Sequence, residues 1–449
     1  MKKSLLGLCL AICLLLCGCG NSGPTKNTLP PLETAPSSEA QNAAGYDRNE
    51  PVIIYQENLP SGINFELYED GRLLLSGGDI TFSIVDQTAF KDYVDNITII
   101  ELGDGVTRVE EKGFAKAEKV QKIIIGDDVS YIGYHAFADC IALTQITFGN
   151  GLTEIADYAF AGCTKLTDVN LGGNIEIVGG YCFSGCTALK SAILGPKITK
   201  MGNCIFDDCS ALSSLRVSCN VGEASLNNNT KLESIVLEDT VTYIEDRAFS
   251  GCTELQNITF SENLETIGAY AFADCTKLKE VKLSESVISI GDQCFSGCTV
   301  LVRAEIGSNV TTMGELLFNG CTALKTIECN SSVGDSSFQK CEALENVTLG
   351  ENVKTIGSQG FYGCKAIVEL DLPEGLETIG DRAFYECTGL KKLSFPKSLQ
   401  RIGTEILYGT SSLKTLQFKG SHSQWNKVKK DKHWNRNAGL AYINDFKVK

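Results

Sequence analysis

From Phe114 to Leu407 an aromatic or aliphatic residue returns every 23 residues, with two intervals of 20, at Phe206 to Leu226 and at Phe318 to Phe338. Fourteen copies can be counted. Cys follows three residues later in eleven of them, and Ala117, Asn229 and Thr410 take its place in the others. Three residues further comes Leu or another aliphatic, from Val120 through Leu413. An apolar–x–apolar triplet closes each copy, as in Ile146-Thr147-Phe148 or Val281-Lys282-Leu283. An earlier triplet at Ile100-Glu101-Leu102 brings the triplets to fifteen. A unit this short cannot bury its own apolar side, so the copies must stack as a solenoid.

The spacing changes within each copy. Phe272, Cys275 and Leu278 are three apart, which predicts a tight helical turn facing inward, whereas Val281 and Leu283 are two apart, as in a strand. An aliphatic-Gly corner precedes the next aromatic, as in Ile132-Gly133, Ile267-Gly268 and Ile379-Gly380. Glycine there suits either a positive φ or a close backbone approach. The expected fold is a curved parallel sheet of about fifteen strands with short helical turns on the opposite face, capped at both ends. At about 4.8 Å per strand it is roughly 70 Å long.

The Leu-x-x-Ile-x-Leu strand segment is a leucine-rich-repeat signature. The Ile-Gly-x-x-Ala-Phe-x-x-Cys-x-x-Leu continuation resembles the BspA-like subfamily of bacterial surface repeats, over about residues 100–420. That resemblance implies a surface protein acting in adhesion, some relatives binding host matrix or plasma proteins such as fibronectin and fibrinogen.

The flanks read differently. Residues 1–18 have a basic start, an apolar run from Leu5 to Leu16 and a small residue at Gly18, which predicts an export signal too short to span a membrane. Leu16-Cys17-Gly18-Cys19 looks like a bacterial lipobox, making Cys19 the expected site of lipid attachment; an ordinary signal peptide cut elsewhere is the alternative. Loss of Lys2 and Lys3 takes the formal charge from −15 to −17, which disfavours nucleic acid as a partner. Residues 19–50, rich in Pro, Ser, Ala, Asn and Thr, read as a flexible tether. In residues 51–99, the alternation Phe65 to Leu75 around Asp70-Gly71 predicts a β-hairpin, read as an N-terminal cap, and Phe90 stands out as a degenerate first repeat. Residues 421–449 carry seven basic and two acidic residues around Trp425 and Trp434. They read as a C-terminal cap, with an anionic wall polymer or nucleic acid as the competing use of that charge.

Twenty cysteines in an exported chain suggest disulfides. Here the column repeats at the structural period, and Ala, Asn and Thr substitute in it, so the position is expected to select small size. Stacked cysteines pointing one way are also poorly placed to pair. Free, buried thiols are the expectation, with Cys182, Cys204, Cys219, Cys294 and Cys329 off the column. No metal or cofactor is expected, since the repeats hold one His (His135) and no Cys-x-x-Cys pair. Neither a Gly-x-Ser-x-Gly elbow nor a His-Glu-x-x-His pattern occurs, so the chain does not read as an enzyme.

Function is therefore expected on the outward sheet face, at the triplet's middle residue and the one two before it. Those columns hold no aromatic residue. The best local candidate for partner binding is the mixed charge patch Glu280, Lys282, Arg303, Glu305 and Glu328, against the plainer reading of a solvated face. Tyr158, Tyr181 and Tyr270, two residues before the aromatic position, offer a contact ridge or simple packing. The sequence predicts protein binding and adhesion at the cell surface, the alternative being a scaffold within the envelope.

Overall fold

The computed structural model describes residues 51–59, 62–81, 83, 92–436, 442–443 and 446–447. The signal region, Cys19, the tether and Phe90 lie outside the described residues.

Each repeat makes one coil with three sides. The triplets supply the fifteen parallel strands of a broad sheet, from Ile99–Leu102 to Thr415–Phe418, whose hydrogen-bond ladder is interrupted after Gln145–Thr147, Asn257–Thr259 and Asn346–Leu349. Copies stack in register, so that Val169, Ala192, Leu215 and Ile235 are neighbours on the inner face. Burial alternates residue by residue, as period two requires: in Ser191–Leu194, Ala192 and Leu194 are buried and their neighbours half-exposed. Ser394 is the exception, an outward position that is buried. Before the first triplet, Asn64–Tyr68 and Arg72–Ser76 form the expected antiparallel hairpin, and Ile53–Asn58 pairs on its outer side. Arg72 to Leu75 then runs parallel to the first triplet strand, which joins the hairpin to the sheet.

A second, narrower parallel sheet, absent from the sequence reading, occupies the corners. Its strands are two residues long, as in Tyr131–Ile132, Glu154–Ile155 and Ile177–Val178. In these three the second residue is buried and the first faces out, whereas Lys200–Met201 and Thr312–Met313 have no fully buried residue. The corner glycines follow these strands, and close approach explains them. A Cβ on Gly268 would lie 2.5 Å from the backbone nitrogen of Asp246 in the preceding coil, and one on Gly314 would lie 2.4 Å from that of Asp292.

The third side corrects the expectation of helical turns. Among the described residues the only α-helix is His422–Trp425, beyond the repeats. In every copy the aromatic residue is flanked by two left-handed residues. The one two before it has φ between 47° and 58°, as at His135, Tyr158 and Tyr270; the one two after it has φ between 54° and 78°, as at Asp139, Gly162 and Asp274. A left-handed residue redirects the chain and stops a right-handed helix from propagating. The amides turn toward the next coil instead, so that Phe137 N–H donates to the Ala159 carbonyl and Asp139 N–H to the Ala161 carbonyl, both at 2.7 Å. These are laddered turns, bonded coil to coil as a sheet is.

Inside, the aromatic column is a stack. From Phe114 to Phe206 neighbouring rings are 5.0–5.8 Å apart, and the stack resumes from Phe249 to Phe384 after the leucine at 226. All sixteen cysteines among the described residues are free, and fifteen are buried. Size is not all the column selects, which amends the sequence reading. Each of its eleven thiols donates to the carbonyl of an aromatic-position residue in the preceding coil, at 3.1–3.5 Å.

Candidate interaction surface

Register decides which outward side chains meet. Glu280 stands beside Arg303 and Lys282 beside Glu305, while Glu305 in turn stands beside Glu328. The five residues singled out from sequence are thus brought together on three adjacent strands. The two neighbouring carboxylates, Glu305 and Glu328, repel at that distance. Arg303 relieves the repulsion by bridging them at 2.7 Å each. Its hydrogen bond to Glu305 comes first in holding the guanidinium's pKa above its ordinary value. Lys282 is looser: its Nζ is 3.6 Å from Glu305 and its side chain is 75% exposed. Glu280 makes no ion pair among the described residues. Two further cross-strand pairs mark the same face, Arg216 with Glu238 at 2.6 Å and Arg72 with Glu101 at 3.0 Å.

The tyrosines lie on the turn side, at the left-handed positions. His135 stacks on Tyr158 and Tyr158 on Tyr181, both at 5.0 Å, with Tyr134 edge-on to the first two. Tyr270 is separate from them, under the guanidinium of Arg247 at 5.0 Å. Sequence reasoning missed a second ladder one residue after the aromatic position, Tyr362, Tyr385 and Tyr408, stacked at 5.2 and 4.7 Å. The signal was present: three tyrosines at consecutive repeat positions in a column elsewhere filled by small or polar residues.

Carboxylates in the turns are occupied by the fold. Asp127 Oδ1 accepts the Asn150 N–H at 2.8 Å and Asp128 Oδ2 the Gly105 N–H at 2.8 Å. Along the narrow sheet, Asp246, Asp292, Asp335 and Asp381 each accept an amide of the following coil, at 2.7–2.8 Å. No group of three or more potential ligands is assembled for a metal among the described residues. No helix there is long and apolar enough to cross a membrane.

Parallel strands, a laddered turn side and a single stacked core define a leucine-rich-repeat β-solenoid of about fifteen turns. The chain belongs to the family described as BspA type leucine rich repeat region, which matches residues 83–213, 220–335 and 330–428. A leucine-rich repeat protein from Bacteroides ovatus is similar in structure, with a TM-score of 0.59 and 25% identity over 86% of this chain and 97% of that one. A leucine-rich repeat protein from Eubacterium ventriosum is 23% identical over 73% of this chain and 93% of its own, at a TM-score of 0.37. A leucine rich cell surface protein from Faecalibacterium prausnitzii is 20% identical over 84% and 98%, at a TM-score of 0.32. No curated protein matches the sequence. The family is a repeat scaffold commonly used for protein interaction, and no enzyme family is indicated.

Proposed function

We propose that this protein is a lipid-anchored cell-surface module that binds other proteins through the outer face of its broad sheet, in adhesion to host matrix or plasma proteins. Cys19 is the proposed lipid site, residues 1–18 the signal and residues 19–50 the tether. The observation that carries the binding reading is the sheet face itself. Its outward residues are not needed by the repeat, yet Lys282, Arg303, Glu305 and Glu328 form one connected charge cluster there, with Glu280 beside it in register. Such a cluster confers selectivity by complementarity more than affinity. A scaffolding role within the envelope is the second reading, favoured by the internal pairing of Arg303 with both Glu305 and Glu328, which leaves little charge unspent.

The test is a pull-down with residues 51–449 against host matrix proteins and, in parallel, an extract of the organism's own envelope. Adhesion predicts a saturable host partner whose capture falls at least tenfold with Lys282→Glu plus Arg303→Glu. Capture of envelope material alone rejects adhesion and leaves the scaffold. Anchoring is read separately, since Cys19→Ser releases the chain from the membrane fraction if the lipid is attached there.

A further inference from the structure

Two lysines of the C-terminal segment, Lys427 and Lys429, meet basic residues of the last coil. Where the narrow sheet ends, Lys429–Lys430 adds a last strand beside Arg401–Ile402, in a register that sets Arg401 directly against Lys429. Like charges opposed on adjacent strands destabilise a sheet. A depression of about 530 Å³ opens there, lined among others by Lys397, Arg401, Lys427, Lys429, Gln400 and Gln424, with no carboxylate in its wall. Asp431 at 3.0 Å neutralises Arg401. Lys397, Lys427 and Lys429 have no ion-pair partner among the described residues. The adjacent Lys430 is different, since its Nζ is spent on the Trp425 and Val428 carbonyls at 2.8 Å each. One lysine therefore serves the fold, and three remain exposed around a hollow.

We propose that this depression binds an anionic phosphodiester polymer of non-aromatic units, such as a polyol phosphate. Three unpaired ammonium groups and a guanidinium offer donors to phosphate oxygens, and Gln400 and Gln424 add neutral donors. The surroundings discriminate between sources of phosphate. Single-stranded nucleic acid is held by bases stacked on exposed aromatics, but Trp425 and Trp434 are each only 4% exposed, Trp425 packing on Trp434, Phe395 and Phe418. Membrane binding needs apolar side chains that can enter the lipid, and Leu399 and Val428 at this site are buried. With a chain of net charge −15, attraction is confined to about one Debye length, roughly 8 Å at physiological salt.

The experiment titrates the full-length protein with poly(glycerol phosphate) by calorimetry at 50 and 500 mM NaCl. Neutralising about three phosphates predicts a roughly hundredfold loss of affinity over that tenfold rise in salt. Lys427→Glu with Lys429→Glu weakens binding at least tenfold at low salt, while Lys165→Glu, on a distant coil, leaves it unchanged. Matching thermal unfolding of the double variant and the parent shows that the fold is kept. Binding that the double variant does not weaken overturns the site. Equal binding of polyglutamate shows mere ion exchange and overturns the ligand class, as does tighter binding of oligo(dA) or of phosphatidylserine vesicles.

Discussion

At Asn229 the requirement of the cysteine column becomes visible. Column cysteines donate to an aromatic-position carbonyl one coil back, whereas Thr410 Oγ1 and Asn229 Nδ2 donate to the equivalent carbonyl of their own coil, at 2.7 and 2.9 Å. Cys, Thr and Asn thus share a donor as well as small bulk. Asn brings one atom too many: its Oδ1 is buried with no hydrogen-bond partner. An unsatisfied buried acceptor costs about 1–3 kcal/mol. Asn229→Cys removes that oxygen, and the new thiol would face the Phe206 carbonyl as Cys341 faces that of Phe318, across the same 23-residue separation. The expected result is a gain of about 1–2 kcal/mol, read as a higher urea midpoint with an unchanged slope. A lower midpoint would show that the amide oxygen is better placed than its missing partner implies.

The two 20-residue copies show where an element can be shortened. Both lose residues on the narrow-sheet side, which is reduced there to single bridges, Val221 to Ile244 and Val333 to Ile356. In full-length copies a backbone carbonyl before the narrow strand accepts two amides of the next coil, as Ser130 does from Thr153 and Glu154. In the short copies a side chain replaces it. Asn220 Oδ1 accepts from the Thr242 and Tyr243 amides at 2.7 and 3.0 Å, and Ser332 Oγ from those of Lys354 and Thr355 at 3.2 and 3.1 Å. Asn220→Ala should therefore expose two amides at once, costing about 1–3 kcal/mol and speeding hydrogen exchange at Tyr243. Asn220→Asp, which keeps the acceptor, should restore protection; exchange unaltered in the alanine variant would discount the substitution of side chain for backbone. The period, the broad sheet and the meeting of Lys282 with Glu305 were legible in the sequence, because spacing alone sets register in a stack. The narrow sheet was hidden because two residues carry too little alternation to read as a strand. The turns were misread because three-residue spacing suits any tight turn, and the mark against a helix lay elsewhere, in the Gly, Asp and Asn two residues after the aromatic position.

Across the whole molecule, the buried thiols, on the column and off it, link stability to pH. Burial is the leading cause that pushes the thiols of Cys219, Cys252 and Cys387 up to about 12. Burial likewise raises Cys275, Cys294 and Cys364 well above the ordinary thiol value of 9.0. In the unfolded chain these thiols ionise near 9, so above that pH the unfolded state has released protons that the folded state still holds. The folded state binds the more protons, hence stability falls as pH rises. The contribution is fully present below about pH 9 and drains away between about 9 and 12, at roughly 1.4 kcal/mol per pH unit for each thiol. Each coil is supported chiefly by its neighbours, so an ionised thiol loosens the coils on either side of it. Urea midpoints taken at pH 6.5, 7.5 and 10 should be flat across the first interval and fall steeply across the second. Cys252→Ala with Cys387→Ala should lower the midpoint at pH 7.5 yet flatten the fall above pH 9, because two of the linked protons are gone. An equal fall in parent and variant would assign the alkaline loss to the tyrosines and lysines instead, and leave the thiol column as a matter of packing and hydrogen bonding alone.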